Sequence, residues 1–318
     1  MAKPTRIFFV ADLHGSAVCF RKFVNAAKVY GAQVLIVGGD IAAKTMTPVI
    51  EEGGNWSVTV EGETRTAHSL EEVERLEGWI RDSATVPFRT STRAWRELIA
   101  DRPRADRTFL ELELEELRRW LTWAKGRLAG TGARLLLGLG NDDFTPMEDV
   151  IASDGFAELT DGRIVRLDDR HELLTLPYSN PTPWHTNREL AEEDIAHRIE
   201  ADAGKLERVA SAVFNLHVPP HNTPLDLAPR LGPGFVKVMA PGGDPELTHV
   251  GSTAVRGALE RYQPLLGLHG HIHESKGSVT LGGTLALNPG SAYTEGTLLG
   301  AVVDLGPDRI RATMLTSG

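Results

Sequence analysis

The stretch Arg6-Ile7-Phe8-Phe9-Val10-Ala11-Asp12-Leu13-His14-Gly15-Ser16 decides how the rest of this chain is read. Residues 7–10 form an unbroken apolar run, the pattern of a strand buried on both faces. The run breaks at once into Asp12 and His14. These lie two residues apart, so on an extended chain their side chains point the same way and can grip one ion together. Ser16 then reads as a helix N-cap, Phe20, Phe23, Val24 and Ala27 recur at helical spacing, and Gly31 reads as the stop. A second apolar run over 34–37 ends at Gly39-Asp40. Strand, helix, strand favours a parallel pair with a right-handed crossover.

Three later segments repeat the pattern. The run 135–137 leads to Gly140-Asn141-Asp142-Asp143, Val213-Phe214 leads to His217, and Leu265-Leu266 leads to Gly270-His271-Ile272-His273. Ligands gather beyond the carboxyl ends of parallel strands, so these residues are expected at one edge of one sheet. Asp40 brings a carboxylate whose two oxygens can bridge two ions, and Asn141 brings an amide oxygen. His217, His271 and His273 bring imidazoles, the last two again on one face. Oxygen and nitrogen donors without thiolate describe a catalytic metal centre better than a structural one. With Asp40 shared, the set suffices for two ions and leaves positions for water. Gly39, Gly140 and Gly270 allow the tight turns that bring each loop close to the cluster. Each fragment alone is weak evidence, whereas five in order, each after a strand, are specific.

Between Asp40 and the third run lies far more chain than the dozen or so residues a crossover needs, which makes about 42–130 an insertion. Residues 57–66 alternate around Glu61-Gly62 and read as a hairpin; 69–82, 91–100 and 108–128 read as helices. Trp79, Trp95, Trp120 and Trp123 fall here, as core packing or, less simply, as part of a lid. Further on, 164–167 and 173–176 read as adjacent strands, 178–184 as a Pro-containing loop and 189–208 as a charged helix. Residues 277–281, 284–287, 301–305 and 309–315 read as strands.

The chain has 318 residues, 41% hydrophobic and 24% charged, and a formal charge of -9 at pH 7. That balance disfavours a nonspecific nucleic-acid surface, which would be basic. No apolar run approaches the roughly 18–20 residues that span a bilayer, and the first residues show no signal-peptide core. Cys19, the single cysteine, rules out an internal disulfide and fits a reducing, cytoplasmic setting.

The five motifs resemble the calcineurin-like metallophosphoesterase superfamily, whose pattern is D-x-H, G-D, G-N-H-[DE], a lone His, and G-H-x-H. The resemblance runs from Arg6 to about Leu287, interrupted by the insertion. It implies an α/β fold of four αββα layers with two mixed sheets face to face. It implies one domain over 1–318 carrying a mainly helical insertion. It also implies one metal held by Asp12, His14, Asp40 and His273, and a second by Asp40, Asn141, His217 and His271. The turn Asn288-Pro289-Gly290-Ser291 resembles the family as well. One departure stands out: Asp142 occupies the place of the family's histidine, which protonates the leaving oxygen and is oriented by the acid after it, here Asp143. A carboxyl beside two cations is a poor general acid, which leaves a substrate with a good leaving group that needs none, or His221, His185 or a residue of the insertion as the substitute.

The expected function is phosphoric ester hydrolysis, by a phosphodiesterase or phosphatase acting on a diester or small phosphorylated molecule rather than on protein, with two divalent transition metals (Mn, Fe, Zn, Ni or Co) and a bridging water nucleophile. The candidate catalytic residues are Asn141, Asp142, Asp143 and His221. The alternatives are a nuclease of the same superfamily and a noncatalytic metal-binding scaffold. The acidic balance speaks against the first and the complete ligand set against the second.

Overall fold

In a computed structural model describing residues 4–60 and 62–318, the opening stretch folds as its pattern indicates. It forms β1 (Thr5–Val10), α1 (Ala17–Tyr30) and β2 (Val34–Gly38). The Ser16 hydroxyl accepts the Cys19 N–H at the start of α1, and Gly31 ends the helix in the left-handed conformation. β1 and β2 pair in parallel.

The insertion contains β3 (Met46–Glu52), β4 (Asn55–Val60), β5 (Glu63–Ala67), α2 (Leu70–Asp82), β6 (Val86–Thr90), α3 (Thr92–Ala100) and α4 (Arg102–Leu128). The expected hairpin is β4–β5, with Glu61 of its turn lying outside the described residues. The three expected helices form as α2, α3 and a longer α4, and two further strands, β3 and β6, join the hairpin in a four-stranded sheet in the order β5-β4-β3-β6. β3 carries Pro48 and two glutamates and shows no clean alternation, so its conformation comes from pairing with β4 and β6 rather than from local pattern. α4 begins before the expected residue 108, because Asp101 caps it and a proline stands in its first turn. Trp120 of α4 stacks on Phe20 of α1 with ring centroids 4.2 Å apart, so this tryptophan joins the insertion to the main core.

The rest of the chain is β7 (Arg134–Gly138), α5 (Met147–Asp154), β8 (Glu158–Leu159), β9 (Ile164–Arg166), β10 (Glu172–Leu176), α6 (Glu192–Ala203), β11 (Val213–Leu216), β12 (Leu227–Pro229), β13 (Leu247–His249), α7 (Thr253–Tyr262), β14 (Leu266–Leu268), β15 (Gly277–Leu281), β16 (Thr284–Asn288), β17 (Leu299–Leu305) and β18 (Ile310–Ser317). The helix expected over 189–208 is confined to α6.

Two six-stranded sheets form, β18-β17-β1-β2-β7-β8 and β15-β16-β14-β11-β10-β9. Their facing sides share one core, in which Ile7, Phe9, Ile36 and Leu136 meet Leu173, Val213, Leu266 and Leu287. Phe8 and Val10 alternate to the opposite face of β1 and pack under α1, α4 and α5. Leu174 and Phe214 turn likewise toward α6 and α7. The result is an αββα stack. The five motif strands therefore do not share one sheet, as expected above: β1, β2 and β7 lie in one, β11 and β14 in the other. A run buried on both faces looks the same in either sheet, so pattern alone does not assign it.

Glu113 on α4 sits beneath this edge, 3% exposed, with Oε2 accepting the Ala43 N–H at 3.2 Å. Burial, aided by the Asp143 charge and opposed by that N–H, pushes its carboxyl up to about 8. A carboxyl that holds its proton more tightly when folded costs stability as pH rises from its ordinary 4.5 toward about 8. Glu113→Gln should therefore match the wild type in urea unfolding at pH 5 and exceed it by about 1–3 kcal/mol at pH 8.5. The same pH dependence in both proteins would contradict this.

Candidate metal centre

Asp12, His14, Asp40 and His271 all adopt positive φ, at 58, 42, 55 and 65°. Each such non-glycine conformation costs about 1 kcal/mol and persists only where the surroundings fix it. Here the loops are laced together. The Asp12 N–H donates to Gly39 O at 2.9 Å, His14 N–H to Asp40 O at 3.0 Å, and Gly270 N–H to His217 O at 2.9 Å. Both Asp12 carboxylate oxygens accept the His271 N–H, at 2.9 and 3.0 Å. The Asn288 side-chain amide donates to the Ile272 carbonyl at 2.9 Å, and the Ser291 hydroxyl to the Asp12 carbonyl at 2.7 Å.

Among the groups whose donor atoms converge within 4.8 Å are Asp12, His14 and His273, and Asp40, His217 and His271. Either group could hold a metal ion. His14 Nε2 lies 3.1 Å from His273 Nε2, and His273 Nε2 lies 3.5 Å from Asp12 Oδ1. Asp40 stands between the groups, with Oδ2 3.6 Å from His14 Nε2 and 3.4 Å from His217 Nε2. Asn141 Oδ1 lies 3.0 Å from His217 Nε2, while its NH₂ donates to Thr186 Oγ1 at 2.9 Å. That bond fixes the amide with its oxygen toward the cluster.

The electrostatics suit a cation. Burial pushes His14 down to about 3 and His271 to about 4, leaving both neutral with a free lone pair. Burial opposes the charged form of Asp40, but His217 and His14 and the Asp142 N–H outweigh it and hold the carboxylate below its usual range. His217 is driven down by burial and up by Asp40 and Asp12, which win and raise it to about 10. Two buried carboxylates facing four imidazoles, with no thiolate, form a nitrogen and oxygen donor set that fits a divalent transition metal, which would displace the protons the carboxylates hold on His217 and His273. Buried His14 Nδ1 has no hydrogen-bond partner among the described residues.

The other sequence candidates separate. Asp143 is fully buried and accepts the N–H groups of Ile41, Ala42 and Gly140, so it braces the loops. Burial and the Asp40 charge push it up to about 7 against those N–H bonds. Asp142 faces the cluster, 3.8 Å from His14 Nδ1, and its N–H donates to Asp40 Oδ1 at 2.9 Å. His221 is tied elsewhere: its ring lies 3.5 Å from Asp226 Oδ2 and beside His249. His185 sits at φ 52° in the loop that holds Thr186. His269 is buried with Nδ1 donating to the Leu216 carbonyl, a structural role.

Sequence reasoning missed three neighbours. Tyr293 packs on His14 and His273 at centroid distances of 4.8 and 5.7 Å. Arg188 is buried and donates through Nε to the Asp143 carbonyl. Lys44 pairs with Asp142 at 3.1 Å. Only Lys44 carried a signal, as a basic residue close after a ligand.

The glycines do more than turn. A Cβ on Gly140 would lie 2.2 Å from Asp40 Oδ1, and one on Gly270 2.4 Å from Asp12 Oδ2. Each loop backbone touches a carboxylate delivered by another strand. Gly140→Ala should displace Asp40 and weaken divalent-metal binding about tenfold or more by calorimetric titration, as misorienting a ligand does. Unchanged affinity would show that the contact does not position Asp40.

No protein-family model matches the chain. An uncharacterised protein of Methanocaldococcus jannaschii, MJ1162, is 28% identical over 113 residues, which is 35% of this chain and 44% of that protein. The match thus spans less than half of that relative. Among solved structures, one crystal structure matches with a TM-score of 0.56 at 14% identity, covering 98% of both chains. The crystal structure of TT1561 of Thermus thermophilus matches at 0.54 with 12% identity, covering 99% of this chain and 98% of its own. At these identities the likenesses show a shared fold over nearly the whole chain, in keeping with the αββα stack.

Proposed function

We propose that this chain is a metal-dependent phosphoric ester hydrolase acting on a small diester. Asp12, His14, Asp40 and His273 would hold one divalent transition metal, and Asp40, Asn141, His217 and His271 a second. The observation that carries the proposal is Asp40 Oδ2, set 3.6 Å from an imidazole nitrogen of one group and 3.4 Å from one of the other. Mn, Fe, Zn, Ni or Co suits these donors. When bound, such a pair activates a water and clamps the phosphoryl oxygens for in-line attack.

The chain supplies the rest. Asn141 offers an uncharged oxygen, which keeps the donor set from becoming too negative for an anionic substrate. Asp143 and Arg188 hold the third motif against β2. No imidazole stands at position 142, and His221 is engaged with Asp226. The leaving oxygen therefore lacks a matched proton donor, which favours esters of acidic alcohols or phenols. The net charge of -9 argues for a small substrate over a nucleic acid. No described helix is long and apolar enough to cross a membrane. The whole chain, 1–318, would act as one domain with its insertion, in the reducing cytoplasm that a lone buried Cys19 suits.

The test is metal reconstitution followed by elemental analysis and assays on aryl phosphodiesters and monoesters. Two ions per chain and chelator-sensitive diester hydrolysis are expected. Asp40→Asn should lower occupancy of both sites together, and activity by about 100-fold or more. A variant that keeps two ions and full activity would exclude the bridge. Across a series of aryl diesters, turnover should fall steeply as leaving-group pKa rises; a flat dependence would reveal a proton donor.

A further inference from the structure

Lys44 lies just past the bridging candidate, and its position is unusually well fixed for a half-exposed lysine. The three residues before it are pinned through their N–H groups: Ile41 and Ala42 to Asp143, and Ala43 to Glu113 of the insertion. The side chain, 47% exposed, reaches back to Asp142 Oδ2 at 3.1 Å. Asp142 is itself held. Its N–H donates to Asp40 Oδ1 at 2.9 Å, its carbonyl accepts from the Asn187 side chain at 2.8 Å, and its carboxylate is 19% exposed. That carboxylate shares a 4.8 Å cluster with ligand atoms of His14 and Asp40. An ordinary surface ion pair is screened and is worth about 0–1 kcal/mol. This one stands at the mouth of a buried donor cluster, and the Lys44 charge is felt by His14, His273 and Tyr293.

Building on the hydrolase reading, we infer that Lys44 is the phosphoryl-oxygen clamp of this site, held over it by Asp142, and that the pair matches the site to a singly charged phosphodiester. An ammonium has three donors, so Lys44 can keep Asp142 and still donate to a nonbridging oxygen. Lysine binds phosphate as a point charge, and such hydrogen bonds are roughly twice as strong as neutral ones. Where a histidine would stand, this chain places a carboxylate, and Lys44 cancels its charge. The pair therefore offers no net positive charge for the second negative charge of a monoester. The Asp142 carboxylate would repel that charge at close range, while a diester brings only one.

The test uses metal-loaded protein and reads inorganic phosphate binding by calorimetry, metal content by elemental analysis, and kcat/KM on an aryl diester and its aryl monoester. Lys44→Ala should keep its metal and weaken phosphate binding about tenfold, the scale of one charge-assisted bond. Lys44→Arg should recover most of the loss. Asp142→Asn should raise the monoester-to-diester ratio of kcat/KM about tenfold. Unchanged phosphate affinity in Lys44→Ala, or an unchanged ratio in Asp142→Asn, would overturn the clamp, as would wild-type protein that binds metal but no phosphate. Wild-type protein that binds phosphate through Lys44 yet hydrolyses no ester would keep the clamp and sink the hydrolase reading.

Discussion

One buried carboxylate, Asp40, is the constraint on which the site is built. It is 2% exposed, and an unpaired charge so placed would cost several kcal/mol. Its surroundings offset that cost from several directions. Oδ1 accepts the Asp142 N–H, Oδ2 faces His14 and His217, and its backbone carbonyl accepts the His14 N–H. Gly140 must lack a side chain because Asp40 Oδ1 occupies that space. Four of the five motifs thus meet at one residue, and each contact constrains a different strand end. A bound cation would complete the compensation.

The scaffold supplies what this arrangement consumes. Four of the donor residues sit in left-handed backbone conformations. They are held there by the loop-to-loop hydrogen bonds and by β1, β2, β7, β11 and β14, whose side chains pack into the cores on both faces. The insertion also contributes: α4 packs on α1, and its Glu113 holds Ala43, one residue before Lys44. In this structure the insertion therefore supports the loop that follows Asp40.

The sequence was most legible where chemistry and pattern coincide. The apolar run 7–10 followed by Asp12 and His14 announced both a buried strand and a donor pair, and the caps Ser16 and Gly31 bounded α1. The gathering of Asp12, His14, Asp40, Asn141, His217, His271 and His273 was legible for the same reason. Long-range pairing was not. β3, with Pro48, is a strand only because β4 and β6 flank it, and no local signal assigned β11 and β14 to a second sheet. His221 drew attention by its nearness to His217 in the chain, and in the structure its ring lies 3.5 Å from the buried Asp226. Tyr293 and Arg188 reach the site through tertiary packing that spacing does not encode.

The central claim is that Asp40 joins two metal sites. Anomalous diffraction from crystals grown with manganese tests it most directly. The account predicts two ions about 3.5–4 Å apart, with one Asp40 oxygen between them, Asp12, His14 and His273 around the first, and Asn141, His217 and His271 around the second. A single ion, or two ions with Asp40 bound to only one of them, would contradict it.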